Sequence, residues 1–407
     1  MITVSLTSIS TQTFQTNAVD SIEALETAIS KTQNQLSTGV TLQSAADGPA
    51  AMVQVNQLNT ELSASQQYVS NGNLVGSNLE LEEQALTNAT NVLQSVQSLA
   101  DEANNSSLSS SQLQDIGTQL SQQLQQLVSI ANSTDSNGNY LFGGYANTTQ
   151  PFAQDDTGVT YAGADETSQV QIGENQFVST GDTGSSVFMN IPAGNGTFTT
   201  AAAAANTGSG SIGPGSVTNA SQWVPATYTI TFTSPTQYEV TTGPAGSPTV
   251  VTQGTYDSTS GGTIAFNGIQ VAVSGAPAAG DEFTVAPAGT SSAFATIQSL
   301  ITTLNSTGLS SGQLATQISQ AIEQLSSAVN NLNDVQASVG ARINAVTASQ
   351  SSEQSNQTNY QTQISNLSQT DYAAATSQLS SEEVALQAAE DSYASLAKLS
   401  LFNYISG

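Results

Sequence analysis

Cysteine and histidine are both absent from this chain, and only Lys31, Arg342 and Lys398 are basic. Each absence removes a class of chemistry. Without cysteine there are no disulfides, thiolate nucleophiles or thiolate metal sites, which suits either a reducing compartment or an exported protein that needs no cross-links. Without histidine, general bases and metal ligands shrink to carboxylates, tyrosines and three basic side chains. With 30 acids and a net charge of −27, no basic cluster exists to neutralise phosphates. Nucleic-acid binding and attraction to anionic lipid both lose their electrostatic term. Long apolar runs are missing too, so membrane insertion is not expected. The opening Met1-Ile-Thr-Val-Ser-Leu-Thr7 has neither a basic region nor a long apolar one. If the protein leaves the cell, the expectation is export without a cleaved signal peptide.

One motif of catalytic type occurs, Ser395-Leu-Ala-Lys398, which in serine acyl-transferases places a nucleophile one turn before its lysine. Its companions Lys-Thr-Gly and Ser-Asp-Asn do not occur, and so short a match recurs by chance. No catalytic, cofactor or metal residues are assigned, and an enzyme is not expected.

What the chain does contain is a change of pattern at Ala131 to Tyr145. Before it, Leu113, Ile116, Leu120, Leu124, Leu127 and Ala131 recur at helical spacing; after it, aromatic and β-branched residues fall in short runs between glycines. This hub contains Asn132, Asp135, Gly138 and Asn139, residues that favour tight turns, then Tyr140, Leu141 and Phe142 as an apolar plug, then Gly144 and Tyr145. Asp135, Asn137 and Asn139 alternate as in a calcium loop. Glycine stands at the fourth position instead of the sixth, however, and Ala146 at the twelfth where a bidentate Glu is needed.

Upstream, Val19, Ile22, Leu25, Ile29 and Leu36 form one narrow helical stripe that Gly39 is placed to end. Pro49 suits the first turn of the next helix. From Leu79 the spacing is heptad, with Leu86, Leu93 and Ala100 in its column and Ala89 and Val96 in a second. Asn104 to Ser111 is a polar break. Downstream, strands are expected around Phe152, Val159–Tyr161, Val170–Ile172 and Phe177–Val178, while Pro192 to Trp223, rich in Ala, Gly, Ser and Thr, reads as a linker or irregular connection. A second β block runs from Tyr228 to Val285, with a hairpin signal at Asn267-Gly268. Helix returns with Ile318, Ile322, Leu325, Val329, Leu332, Gln336, Val339, Ile343 and Val346 in steps of four and three. Gln336 is its polar core position, unless Val335 beside it takes the core. A last helix carries Leu379, Leu386, Ala389, Tyr393 and Leu396, followed by Leu401 and Phe402.

The expected fold class is α+β: long helices from both chain ends paired as a coiled-coil-like rod, with β subdomains inserted between them. The expected divisions are terminal helices at 1–45 and 360–407, a helical rod at 46–145 and 291–359, a small β subdomain at 146–191 and an additional β insertion at 192–290. Narrow stripes bury too little apolar surface to offset chain entropy alone, so the terminal helices should be disordered in a free monomer. If the remaining seams pair head to tail between copies, a ring or an open helical assembly results. A self-contained coiled-coil bundle is the plainer alternative.

Several stretches together resemble the flagellin superfamily, within it the hook-filament junction branch: Gln35-Leu-Ser-Thr-Gly39, Ala46-Asp-Gly-Pro-Ala50, the hub from Asn132 to Tyr145, Val339-Gly-Ala-Arg342, and Leu399-Ser-Leu-Phe-Asn-Tyr404. The resemblance implies a structural subunit of the bacterial flagellum. It would be exported by the flagellar type III apparatus, with a chaperone in the cytoplasm, and would form a layer outside the cell between hook-associated protein 1 and flagellin. It also implies that the terminal helices line the inner tube, making Leu25, Ile29, Leu36, Leu379, Leu386, Tyr393, Leu396, Leu401 and Phe402 candidates for the assembly interface. The block from Tyr228 resembles insertions found in some members and in hook-associated protein 1. Where family members commonly have a basic residue after Leu-Ser-Thr-Gly, this chain has Val40-Thr41. Contacts there would then rest on amides and hydroxyls. Flagellin itself, or a surface adhesin built on the Thr/Gly-rich β blocks, are the alternatives.

Overall fold

The computed structural model describes residues 11–155, 158–244 and 246–405, with side chains from 13 to 395 among them. The fold is α+β: the described residues form six α-helices, three leading into the β region and three following it. The chain divides into two compact units, residues 1–67 with 351–407, and residues 68–350.

In the first unit, helix α1 (Thr11–Thr38) packs along helix α6 (Tyr372–Ile405). Gly39 ends α1 with φ of 71°, a left-handed conformation that glycine adopts without steric cost. The stripe on α1 runs through Ala18, Ile22, Leu25, Ile29, Thr32 and Leu36, of which only Thr32 is fully buried. Val19, expected on this stripe, is instead 38% exposed. One step of 100° along the helix moves the inward position to Ala18, whose small side chain lets the helices approach.

The long helices α2 (Pro49–Ala103) and α5 (Ser311–Ser368) contribute to both units. Within the second unit, the heptad column of α2 is fully buried at Leu79, Leu86, Leu93 and Ala100, with Ala89 and Val96 beside it. On α5, Ile318, Leu325, Leu332, Val339 and Val346 are buried, while Ile322, Val329, Val335 and Ile343 are half-buried against the same core. Gln336 reaches across to α2, its Nε2 donating to Thr87 Oγ1 at 3.2 Å. Both residues of the Val335/Gln336 alternative therefore sit at the seam. Helix α3 (Ser110–Ala131) starts on a capping box in which Ser109 and Gln112 satisfy each other's main-chain N–H groups, and packs on α4 (Ala293–Asn305). The hydrophobic core joins these helices to Phe142, Phe152, Phe188 and Phe294.

Two antiparallel hairpins follow the hub: β1 (Phe152–Asp155) with β2 (Gly158–Tyr161), and β3 (Gln169–Gly173) with β4 (Gln176–Ser179). Then come β5 (Ile191–Pro192), β6 (Phe198–Ala202), β7 (Ser211–Ile212), β8 (Ser216–Val217), β9 (Tyr228–Ser234), β10 (Gln237–Thr242), β11 (Thr249–Thr255), β12 (Gly262–Phe266), β13 (Ile269–Ser274), β14 (Glu282–Pro287) and β15 (Thr290–Ser291). A five-stranded sheet, β11-β10-β9-β14-β6, and a smaller one built on β12, β13 and β7 share a second core that includes Phe198, Tyr228, Phe232, Ile264 and Val271. Asn267 and Gly268, at φ of 43° and 73°, turn β12 into β13 as the sequence predicts.

The linker alternative for Pro192 to Trp223 fails at residues 198–202, whereas most of the stretch beyond them is an irregular connection whose strands are the two-residue β7 and β8. Residues 198–202 form an edge strand paired with β14, and Phe198 is wholly buried. Main-chain pairing holds Phe-Thr-Thr-Ala-Ala there despite its small side chains.

Candidate functional site: the hub and the terminal helix pair

The hub joins α3 to the first hairpin through a set of main-chain bonds. Asn132, directly after α3, uses both ends of its amide on one residue: Nδ2 donates to the Phe152 carbonyl at 2.9 Å, and Oδ1 accepts the Phe152 N–H at 3.0 Å. Its side chain thus pairs with β1 as a neighbouring strand would. Asp135 then closes the turn, its Oδ1 accepting the N–H groups of Asn137 at 2.8 Å and Asn139 at 2.9 Å. Burial acts to raise the Asp135 pKa, but donation from the main chain and side chain of Asn139, and from Asn137, outweighs it, and the carboxyl is held below its usual range. Its oxygens are thus bonded within the turn. Gly138 completes that turn at φ of 84°.

The chain then runs back past the helix end, with Leu141 N donating to Ser133 O at 2.9 Å and Tyr140 N to Asn147 O at 2.7 Å. Tyr140 and Leu141 are half-buried, while Phe142 is fully buried and meets Phe188 edge-on at 5.3 Å between ring centres. The Phe142 carbonyl accepts from Gly184 N at 2.9 Å and from the Tyr161 hydroxyl at 3.1 Å. Gly144, at φ of 60°, lies where an added Cβ would stand 2.3 Å from the Ala164 carbonyl oxygen. Tyr145 is 59% exposed, held by its own N–H to Glu166 O at 3.0 Å. The hub residues named from the sequence, from Asn132 to Tyr145, therefore meet in one turn structure held by main-chain bonds.

The sequence reading passed over Glu82, which lies against this hub, 1% exposed. A signal for it exists. Glu82 stands one heptad before Ala89, so it occupies an inward position of the second apolar column.

The first unit holds the candidate assembly residues. Leu25, Ile29 and Leu36 on α1, and Leu379, Leu386 and Tyr393 on α6, are all half-buried. Thr32 Oγ1 donates to Glu382 Oε2 at 3.0 Å across the pair. The side chains of Leu396, Leu401 and Phe402 lie outside the described residues. After α1, Thr41 N donates to Ser368 O at 2.7 Å and Thr370 N to Gly39 O at 3.0 Å, while the hydroxyls of Thr41 and Thr370 donate to Gln369 O and Gln35 O. Amide and hydroxyl bonds thus fasten this segment. Its one ion pair among the described residues joins Lys31 to Asp47 at 2.6 Å, and that cation, with bonds from Ser44, lowers the Asp47 pKa to about 2.

Helices from both chain ends lying together, with β structure between them, define a flagellin-like structural protein. The description of the bacterial flagellin N-terminal helical region matches residues 9–147, and that of the D2-like domain of flagellar hook-associated protein 1 matches residues 201–287. Among solved structures, the flagellar hook associated protein-3 of Legionella pneumophila is 31% identical with a TM-score of 0.71, covering 77% of this chain and 98% of its own. FlgL of Xanthomonas campestris is 33% identical with a TM-score of 0.69, covering 76% and 99%. Flagellar hook-associated protein 3 of Salmonella typhimurium is 30% identical over 183 residues, 45% of this chain and 57% of its own. The chain belongs to the hook-associated protein 3 (FlgL) family of the flagellin superfamily. The matched stretch spans only a little over half of the Salmonella relative, at 57%.

Proposed function

We propose that this chain is a structural junction subunit of the bacterial flagellum that connects the hook, through hook-associated protein 1, to the flagellin filament. The α1–α6 pair carries the reading. Its stripes are only half-buried by each other, which leaves apolar area on both helices for neighbouring subunits. The same half-buried faces support self-association in a ring or short helical layer, because helix faces that meet different faces on a neighbour continue from copy to copy. The location is the flagellum outside the cell, after export with a cytoplasmic chaperone. The role is structural, not enzymatic. No helix among the described residues is long and apolar enough to cross a membrane.

A deletion strain tests the reading. Loss of filament attachment, with flagellin shed into the medium and restoration by the intact gene, is the expected result. Loss of the filament subunit itself would assign the chain to flagellin instead. Mixing the purified chain with hook-associated protein 1 and flagellin of the same organism supplies the direct test, with ordered complexes expected only while α1 and α6 are intact.

A further inference from the structure

Two carboxylates and one guanidinium meet inside the unit of residues 68–350. Glu82 on α2 accepts the Asp182 N–H on Oε1 at 2.9 Å, while its Oε2 is buried and has no hydrogen-bond partner. Asp182, in the segment after β4, is ion-paired with Nη2 of Arg342 on α5. The Nη1 of Arg342 donates to Gly181 O at 3.2 Å, and its Nε is buried without a partner. A cavity of about 50 Å³ borders Glu82, lined also by Asp135, Asn139, Tyr140 and Asp182.

The charge count decides what this cluster needs. Arg342 neutralises one carboxylate, and Asp182 holds it directly. A second ionised carboxylate at Glu82 would be desolvated with one oxygen unbonded, and buried charge of that kind is relieved by neutralisation. From the packed elements, Glu82 is faced by Asp182, by Arg342 and, across the cavity, by Asp135. Its neighbours Glu80 and Glu83 on α2 are exposed. No group of three or more acidic side chains among the described residues is placed to hold a metal ion. The missing positive charge is then a proton.

We propose that Glu82 is a proton-held clasp: neutral in the folded protein at neutral pH, it fastens the junction of α2 with the Gly181-Asp182 segment and α5 most firmly in acid medium, and the hold weakens as the pH rises to mildly alkaline. Burial first and the Asp182 charge second, opposed only in part by Arg342, together raise its pKa to about 8. The folded state then holds a proton that the unfolded chain releases at ordinary carboxylate pH. Stability contributed at this position therefore falls as pH rises from about 4.5 towards 8, and is level above that.

The test is thermal unfolding of the full chain from about pH 5 to about pH 9.5, comparing the protein with its Glu82→Gln variant, which keeps the shape of the neutral acid. Relative to the variant, the melting temperature of the parent should drop by several degrees across the window and then run parallel. Parallel curves throughout would overturn the clasp. So would calcium ions that raise the melting temperature of the parent but not of the variant, since a metal would then hold the site. Should the variant fail to fold, the infrared carboxylic-acid band of the parent serves instead. The band should persist at about pH 6.5 and disappear by about pH 9.5; its absence at the lower pH would equally overturn the proposal.

Discussion

The side-chain amide of Asn132 and the main chain of Phe152 are bonded in both directions, donor to carbonyl at 2.9 Å and N–H to acceptor at 3.0 Å. One residue past the end of α3, a side chain does the work of a strand. This sets the first hairpin against the helix end, and Phe152 is wholly buried where the two meet.

Asn132→Ala should leave the buried Phe152 N–H unsatisfied and cost about 1–3 kcal/mol, read by urea unfolding of the full chain. Asn132→Asp retains the acceptor but turns an oxygen toward the Phe152 carbonyl, so it should also destabilise. Near-parent stability in both variants would show that water replaces the amide without loss.

Two glycines of the hub separate backbone strain from crowding. Gly138, at φ of 84°, has nothing within 4 Å of an added Cβ, whereas that of Gly144 would lie 2.3 Å from Ala164 O and 2.7 Å from Glu166 O. Gly138→Ala should cost only the left-handed penalty of about 1–2 kcal/mol. Gly144→Ala must also displace main chain, adding about 1–3 kcal/mol. Equal losses in urea unfolding would mean that the 164–166 segment yields freely.

In the first unit, Asp47 is held by Lys31 and by the N–H and hydroxyl of Ser44, at 2.8 and 3.0 Å. Its folded pKa lies near 2, below the ordinary value of 3.8, so its contribution is present above that value and lost as pH falls towards 2. Carboxyl NMR should show Asp47 ionised through most of the acid titration. Lys31→Met should move the midpoint upward but not fully to the ordinary value, because the Ser44 bonds remain. An unmoved midpoint would show that Ser44 alone sets it.

How much of this was legible follows from which residues carry the signal. The columns Leu79-Leu86-Leu93 and Ile318-Leu325-Leu332 announce their helices because a heptad leaves no other periodic solution, and Asn267-Gly268 announces its hairpin because few residues adopt that turn. Strand β6 did not announce itself. Thr199 to Ala202 have little apolar alternation, and the strand is held by main-chain pairing to β14 at a sheet edge. Helix α4 lies within the helical rod expected from residue 291: Phe294, Ile297, Leu300, Ile301 and Leu304 are buried, while Ala295, Ser299, Thr302 and Asn305 are exposed on the other face, so its period is open to reading. The inward place of Glu82 can be read from its heptad spacing to Ala89, but its link to Arg342 cannot, because residues so far apart in sequence meet only through the packing of α2, α5 and the segment after β4.

The terminal pair gives the sharpest test of the assembly proposal. Leu25 on α1 and Leu386 on α6 are half-buried, so a carboxylate at either place meets an apolar seam that a neighbouring subunit would complete. Leu25→Asp or Leu386→Asp should abolish incorporation into ordered complexes with hook-associated protein 1 and flagellin. The unit of residues 68–350, with its own cores around Phe142 and Phe232, should remain folded by circular dichroism and by resistance to protease. In dilute monomer, amides of α1 and α6 should exchange far faster than those of α2 between Leu79 and Ala100, because Thr32 is the one fully buried side chain of α1 among its described residues, whereas that stretch of α2 buries a full column. Normal incorporation of either variant would move the interface to other faces of these helices. Strong protection of α1 in the monomer would show that the pair is complete without a neighbour, as in a self-contained coiled coil.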